Sequence, residues 1–369
     1  MWTFHNPVRI RFGAGVIDGL AEGLSGRSYA VVTYPDPYFA ELTNKIADQA
    51  GSPAIVIDDV VPNPDYKHLM PQCIRFNSLG ALPEVFVALG GGSVIDSAKV
   101  FATARGNFEP VARFLETGLG AENLAPIPII AAPTTAGTGS EVTSWATVWD
   151  EARGCKFSLS LPKLYPEMAF IDPKLMIGKP HQLTLSTALD SLSHALESIW
   201  NVNANPVSAQ FAIAAAKRIL TDLPRLLRDP GNLELRASIA EAALSAGLAF
   251  SNTKTAIAHN ISYPMTLDWG VQHGIACSFT LPTVLRSVIG IGGFRESALC
   301  EIFGHDLEDG ADDLELFLRQ LGVATNFRDY GVPAETWPDI IRDAFAGERG
   351  KNFVGQMDRF VAAQDLILS

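Results

Sequence analysis

Apolar runs of four to six residues recur through the first half of the chain: Tyr29–Thr33, Ala54–Ile57, Glu84–Leu89, Ile127–Ala132 and Met168–Ile171. Each is flanked by Gly, Pro, Asp or Asn. Runs this short and this continuously apolar predict strands buried on both faces, as in a parallel sheet covered by helices. Segments with helical spacing, such as Pro37–Gly51 and Ser93–Arg105, fall between them. The alternation predicts an α/β domain over residues 1–178. Beyond Lys179 the strand-like runs stop. Leu183–Val202, Pro206–Leu227, Leu233–Phe250, Glu296–Phe303 and Asp312–Leu321 carry apolar residues at helical intervals, punctuated by Pro224, Pro230-Gly231, Gly290 and Gly292-Gly293. They predict an all-helical domain over residues 179–369, with the boundary near Gly178-Lys179-Pro180. The stretch from Phe327 carries no clear period, and Gly347–Gly355 reads as a surface loop.

Composition narrows the class. With 369 residues and 47% apolar side chains, the chain is long and hydrophobic enough for two packed cores and is not an acidic disordered protein. Its 28 basic and 40 acidic residues leave a net charge of -12. That balance argues against docking on nucleic acid or anionic lipid, both of which need clustered Lys and Arg. No stretch of about 18 unbroken apolar residues predicts a membrane-spanning helix. The opening Met1–Phe12, with Pro7, Arg9 and Arg11, lacks the apolar core of a signal peptide. Cys73, Cys155, Cys277 and Cys300 form no C-x-x-C pair. This fits a reduced cytoplasmic protein better than a disulfide scaffold or a structural zinc site.

Two loops could hold phosphate. The run Glu84–Leu89 enters Gly90-Gly91-Gly92-Ser93 and then the helical Val94–Ala102, with Asp96 and Lys99. Backbone N–H groups without a neighbouring Cβ can approach an anion there, at the positive end of the helix dipole. Such a turn is also an ordinary strand-to-helix connection. The second loop, Pro133-Thr134-Thr135-Ala136-Gly137-Thr138-Gly139-Ser140-Glu141, crowds hydroxyls and glycines past another buried strand. That is more than the simple N-cap Ser140 alone would suggest, and it can line the same crevice. Phe12-Gly13-Ala14-Gly15 is a decoy: the next glycine is Gly19, so the G-x-G-x-x-G pattern is not met and a tight turn is expected.

A different chemistry is carried by Asp190 and His194, four apart on a helical segment flanked by Ala188, Leu189, Leu192, Ala195 and Leu196. They project from one face, and a divalent cation would offset the cost of burying them; an Asp–His hydrogen bond is the plainer alternative. His259 and His273 lie downstream in apolar settings. One carboxylate and three neutral imidazoles make a shell suited to Fe2+ or Zn2+ with a position open to a substrate oxygen. His5, His68, His181 and His305 lack such company and read as surface or packing residues.

Taken together these motifs resemble the iron-containing (group III) alcohol dehydrogenases along nearly the whole chain. The resemblance rests on Phe12-Gly13, Val61-Pro62-Asn63-Pro64, Gly90–Ser93 with Asp96 and Lys99, Pro133–Glu141, Ile171-Asp172-Pro173, Asp190/His194 and His259/His273. It implies a Rossmann-like α/β N-terminal domain plus an all-α C-terminal domain, the dehydroquinate synthase-like architecture. It further implies NAD or NADP and a divalent metal, Fe2+ with Zn2+ as the other choice, held by Asp190, His194, His259 and His273. Dinucleotide contacts are implied for Gly91, Gly92, Ser93, Asp96, Thr134, Thr135, Thr138 and Lys156, with the matched Asn63, Gly90 and Ser140 given the same role. The activity implied is hydride transfer between nicotinamide and a small aldehyde or alcohol.

Three positions depart from the family pattern. Tyr34 follows Thr33 where many members have an Asp that selects NAD over NADP. Tyr263 stands where many have a second His used in proton relay, and Ala188 where a Gly is usual. A narrower likeness, to the branch associated with phosphonate metabolism, lies in Trp2–Arg11, Glu197–Pro206 and Ser251-Asn-Thr-Lys254-Thr. It implies phosphonoacetaldehyde or a close relative as substrate; a dianionic group would want a cation nearby, for which Lys254 is a candidate, and Tyr263, in place of the relay His, is the other candidate catalytic residue. A non-redox dehydroquinate-synthase-like cyclase and a maleylacetate-type reductase are the alternatives. The expected partners are a small aldehyde or alcohol and further copies of the chain in a homodimer or larger homo-oligomer.

Overall fold

The computed structural model describes residues 1–368. The chain forms two compact units. One is Asn6–Thr135 with Gly139–Ile177; the other is Met1–His5, Ala136–Thr138 and the chain from Gly178 onward.

The first unit is built on strands β1 (Arg9–Phe12), β2 (Tyr29–Val32), β3 (Ile55–Ile57), β4 (Val85–Gly90), β5 (Ile129–Pro133) and β8 (Met168–Ile171). They form one sheet in the order β1-β8-β5-β4-β2-β3, with every pairing parallel. Its central strands are apolar throughout because alternate residues feed two different cores. Ala30, Val32, Phe86, Ala88, Ile129 and Ala131 face one core, while Tyr29, Val31, Val85, Val87, Leu89, Ile130 and Ala132 face the other. Helix α4 (Gly92–Ala104) covers the first face through Val94, Ile95, Ala98 and Phe101. Helix α2 (Pro37–Ala50) covers the second through Phe39 and Ile46, and is capped by Asp36 and stopped at Gly51. The short α1 (Leu20–Leu24), α3 (Tyr66–Ile74) and α5 (Glu109–Thr117) complete the layers.

Three strands were not foreseen from sequence. Strand β1 is exposed and carries Arg9 and Arg11, so apolarity does not reveal it; it pairs with β8 in register, Arg9 to Met168 and Phe12 to Ile171. Strands β6 (Trp145–Asp150) and β7 (Cys155–Ser160) form an antiparallel hairpin outside the main sheet. Lys99 anchors the approach to that hairpin. Its buried Nζ lies 2.7–3.1 Å from the Ser140 and Thr143 carbonyl and hydroxyl oxygens and from the Trp145 carbonyl. Burial pulls the ammonium down to about 8.

The second unit is helical: α6 (His181–Glu197), α7 (Pro206–Arg228), α8 (Leu233–Thr253), α9 (Ile257–Leu267), α10 (His273–Ser278), α11 (Leu281–Ser287), α12 (Gly293–Phe303), α13 (Leu307–Gln320), α14 (Trp337–Ala346) and α15 (Met357–Leu368). Pro224 lies inside α7 rather than ending a helix. Helix α13 starts five residues before the expected Asp312, because Asp306 accepts from the N–H groups of Glu308 and Asp309. The expected surface loop at Gly347–Gly355 is only partly exposed: Glu348 and Lys351 face solvent, but Gly350 and Phe353 are buried and the segment is tied down as a strap. Asn352 and Val354 exchange backbone hydrogen bonds with Trp200 and Val202, Asn352 Nδ2 reaches the Thr255 carbonyl, and Phe353 is buried. Its polar, glycine-rich composition misled because the Asn352 carbonyl and the Val354 N–H find distant backbone partners, which leave no local mark in the sequence.

Burial pushes the Glu141 carboxyl up to about 7, and the Lys99 ammonium offsets only part of that. A carboxyl raised in the fold contributes stability that is full below its unfolded value and is lost as pH rises through the folded one. Against Glu141→Gln, the stability lead of the native chain should therefore shrink by on the order of 2–3 kcal/mol between about pH 5 and about pH 8. Urea midpoints of both proteins at the two pH values measure this; a constant lead would show that Glu141 is ionised in the fold.

Candidate active site

In the sheet unit, β2 leads outward to β3, and the chain then crosses back to β4 on the other side of β2. Ligand crevices form beyond the carboxyl ends of strands at such a reversal. Tyr34 and the Gly90–Ser93 turn stand at those ends. Gly91 caps α4 with no side-chain hydrogen bond, so the first N–H groups of that helix are open to an anion. A Cβ at Gly91 would lie 3.1 Å from Thr135 Oγ1 and 3.7 Å from the Tyr34 hydroxyl, which brings Thr135 and Tyr34 to the same turn. Asn63, in the left-handed region at φ 57°, donates its N–H to Ser93 Oγ at 3.2 Å. Thr134 donates its N–H to the Gly90 carbonyl.

The other residues assigned to this crevice by sequence fall differently. Asp96 spends both carboxylate oxygens inside the unit, accepting from Ser140 Oγ at 2.5 Å and from the Thr147 N–H at 2.9 Å. Ser140 is thereby committed to Asp96 and Lys99 and is not a simple cap. Lys156 sits on β7 with Nζ 5.1 Å from the Trp149 ring centre. Thr138 belongs to the segment Ala136–Thr138, which packs with the helical unit. The Phe12–Gly15 decoy is a turn, with Gly13 and Gly15 at positive φ and Gly15 donating to Asp172 at 2.8 Å.

In the helical unit, α6 is buried nearly all round and presents Asp190, His194 and Glu197 at successive turns of one face. Asp190 Oδ1 lies 3.7 Å from His194 Nε2, 3.4 Å from His259 Nε2 and 4.0 Å from His273 Nε2. Two donors bound to one tetrahedral ion at ordinary metal–ligand distances stand about 3.3–3.6 Å apart. The nearest separation, Asp190 to His259, matches such an edge, and the other two lie slightly beyond it. Among the described residues, Asp190 Oδ1 and His259 Nε2 are buried with no hydrogen-bond partner. Facing lone pairs are costly unless a cation lies between them, so the donor set fits a divalent metal.

The protonation states of Asp190 and His194 agree, whereas at His259 burial is outweighed by Cys277, Glu197 and Asp190, which push its imidazole well above the ordinary value. Burial alone would raise the Asp190 carboxyl, but the imidazoles of His194, His273 and His259 outweigh it and hold it below the usual carboxylate range. Burial holds His194 down at about 4, leaving its imidazole neutral. His194 stacks between Phe250, at 4.0 Å, and His259, at 4.7 Å. His273 is the most open of the group, 37% exposed at its side chain. Its position is set by the close approach of α10 to α6: a Cβ on Gly274 would meet the Ser186 carbonyl oxygen at 1.8 Å, so only glycine fits.

Two residues at the centre had not been assigned a role from sequence. Glu197 is fully buried; its Oε1 accepts from the N–H groups of Ala258 and His259 at the start of α9, and its Oε2 accepts from His259 Nδ1 at 2.6 Å. That bond fixes the tautomer and turns the Nε2 lone pair toward Asp190. The signal was available, since Glu197 is three residues past His194 on the same helix face. Cys277 lies one turn beyond His273 with its Sγ 3.6 Å from His273 Nε2. The two candidate catalytic residues are less central. Tyr263 is half-buried, one turn past His259 on α9. Lys254 is exposed at the end of α8 at φ 63°, and its carbonyl accepts from Asn201 and Thr253 side chains.

Family models match both units: "Iron-containing alcohol dehydrogenase" over residues 7–173 and "Fe-containing alcohol dehydrogenase family, C-terminal" over residues 184–361. The chain belongs to the iron-containing alcohol dehydrogenase family. Its relatives in that family include the NAD-dependent methanol dehydrogenase of Bacillus methanolicus, 32% identical over 71% of each chain. The phosphonoacetaldehyde reductase of Streptomyces viridochromogenes is 32% identical over 63% of this chain and 60% of the relative. Among solved structures, sulfoacetaldehyde reductase from Bifidobacterium kashiwanohense in complex with NAD+ superposes with a TM-score of 0.90 at 29% identity, covering 100% of this chain and 99% of that one. No helix among the described residues is long and apolar enough to cross a membrane.

Removing the charge from Glu197 while keeping its shape tests how the centre is held. Glu197→Gln should weaken divalent-metal affinity about 10–100-fold with the fold retained. Chelator competition alongside circular dichroism reads both; unchanged affinity would remove the role given to Glu197.

Proposed function

We propose that this enzyme reduces a small aldehyde carrying a terminal anion, of the phosphonoacetaldehyde type, to the alcohol with NADH, and runs the reverse reaction at high alcohol. One hydride passes from the nicotinamide to the carbonyl carbon and one proton to the oxygen, leaving NAD+ and the alcohol. The observation that carries the metal-dependent part is the convergence of Asp190 Oδ1 with the Nε2 atoms of His194, His259 and His273. We assign these four as ligands of Fe2+ or Zn2+. When bound, the cation supplies positive charge that polarises a carbonyl oxygen and favours an alkoxide.

The chain's own groups prepare the rest. Glu197 holds His259 as the tautomer that offers Nε2 inward. Tyr263, half-buried one turn from His259, is assigned to proton exchange at the substrate oxygen. Lys254 is assigned to the substrate anion, in support of which its backbone is held in the left-handed region at the end of a buried helix. The uncapped Gly90–Ser93 turn is assigned to the dinucleotide pyrophosphate, with Asn63, Thr134 and Thr135 around it. NAD is preferred because relatives carry it in their names. Two likenesses favour an anionic aldehyde, since the phosphonate and sulfonate reductases differ in the acid but share the two-carbon aldehyde in their names. A reducing, cytoplasmic location is proposed from four cysteines that are all free thiols, and self-association from the exposed edge strand β1.

Asp190→Ala should abolish stoichiometric metal and lower kcat/KM by at least about 1,000-fold. Metal analysis and NADH absorbance measure the two; retention of both would end the ligand assignment. For the substrate, phosphonoacetaldehyde and propanal are compared with NADH and NADPH. Phosphonoacetaldehyde should be preferred, and Lys254→Ala should raise its KM about 10-fold or more while leaving propanal unaffected. Equal kcat/KM for the two aldehydes would overturn the anionic-substrate reading and leave the family activity standing.

A further inference from the structure

An ammonium group has three N–H bonds to give. Lys99 Nζ, on a fully buried side chain, has five oxygens around it. The carbonyls of Ser140, Thr143 and Trp145 lie at 2.7, 2.9 and 2.7 Å, and the hydroxyls of Ser140 and Thr143 at 3.0 and 3.1 Å. The hydroxyl hydrogens are directed elsewhere, that of Ser140 to Asp96 Oδ1 and that of Thr143 to the Ser140 carbonyl, so both hydroxyls turn lone pairs toward the nitrogen. Five acceptors exceed what three hydrogens can serve one to one, so the shell follows the charge rather than the N–H directions. Carbonyl oxygens grouped in this way replace the hydration shell of a monovalent cation. The Asp96 carboxylate adds to the negative field.

We propose that Ser140, Thr143 and Trp145 build a monovalent-cation site that the chain fills with its own ammonium, and that through it Lys99 acts as a positioning residue for the cofactor. Lys99 lies on α4, whose first turn follows Gly91, and the shell it fills runs from the end of the hydroxyl-rich loop into β6. Asp96, one turn nearer the start of α4, fastens the same stretch at Ser140 Oγ and at the Thr147 N–H. With the cation in place this stretch is locked to α4. Without it, a buried ring of oxygens faces an empty centre and must loosen. The effect on the cofactor rests on the assignment of the pyrophosphate to the Gly90–Ser93 turn; the cation site itself does not.

The test is chemical rescue in the full-length protein. Lys99→Ala removes the side chain from Cγ to Nζ, and n-propylammonium has the same carbons and nitrogen. The variant should bind NADH at least about 10-fold more weakly and melt at a lower temperature. Nucleotide fluorescence and thermal scans by circular dichroism read the two, with no aldehyde present for an amine to condense with. n-Propylammonium should restore both in a saturable way, whereas tetramethylammonium at equal ionic strength, too bulky for the shell, should not. Lys99→Met, which fills the side chain's path without a charge, should show the same losses and no rescue. If Lys99→Ala is unfolded in plain buffer, recovery of its helical signal with n-propylammonium is the expected result. Native behaviour of Lys99→Met overturns the proposal, as does equal rescue by tetramethylammonium or failure of n-propylammonium to rescue Lys99→Ala, folded or not. Rescue of melting with NADH affinity unchanged throughout overturns the positioning role. Failure of wild type to bind NADH overturns the dinucleotide assignment instead, and the melting temperatures then decide the cation site.

Discussion

One buried carboxylate, Glu197, ties the helical unit together at its chemical centre. Its two oxygens do separate jobs: Oε1 satisfies the N–H groups that open α9, and Oε2 receives the ring N–H of His259. Burial opposes its charge, but His259 and the backbone donors outweigh that and hold its carboxyl below the ordinary value. Helix α9 has no side-chain cap of its own, so Glu197 also does that work. Because Glu197 shares a helix with Asp190 and His194, the same turn sequence that supplies two donors also aims a third.

Much of this was legible from spacing and apolarity. The five predicted strands appear because each packs against core on both faces, fully in the four inner strands and partly in the edge strand β3, which makes its sequence continuously apolar. Asp190 and His194 announce themselves because an i,i+4 pair in an apolar helix has few ways to satisfy its charge. Strand β1 was not legible, since an exposed edge strand gains its stability from backbone pairing with β8 rather than from apolar side chains. The hairpin of β6 and β7 was hidden similarly: it depends on Lys99, whose long-range hydrogen bonds leave no local mark. Asp96 and Ser140 look like ligand-binding residues in a glycine- and hydroxyl-rich setting, yet they bond to each other. The chemistry of a loop motif is readable from sequence; which of its polar groups are already spent is not.

Glycine marks where backbone must approach backbone. At Gly274 the crowding is with the Ser186 carbonyl, and at Gly137 with Thr187, so α6 is approached closely by chain at two points. These contacts leave α6 little freedom to rotate about its axis, and rotation is the motion that would disperse its three site groups. The strap at Asn352–Val354 works further along the same path, holding the residues that directly follow α6.

The separations in sequence carry a last consequence. Glu197 meets Ala258 across 61 positions, and Gly274 meets Ser186 across 88, with the long α7 and α8 in between. Under the ligand assignment proposed above, a nascent or unfolded chain offers a metal only the local pair Asp190 and His194; the remaining donors arrive after the intervening helices have docked. Ion choice is consequently made late in folding, by a nearly finished pocket, and a wrong ion caught early meets an incomplete set from which it can still escape.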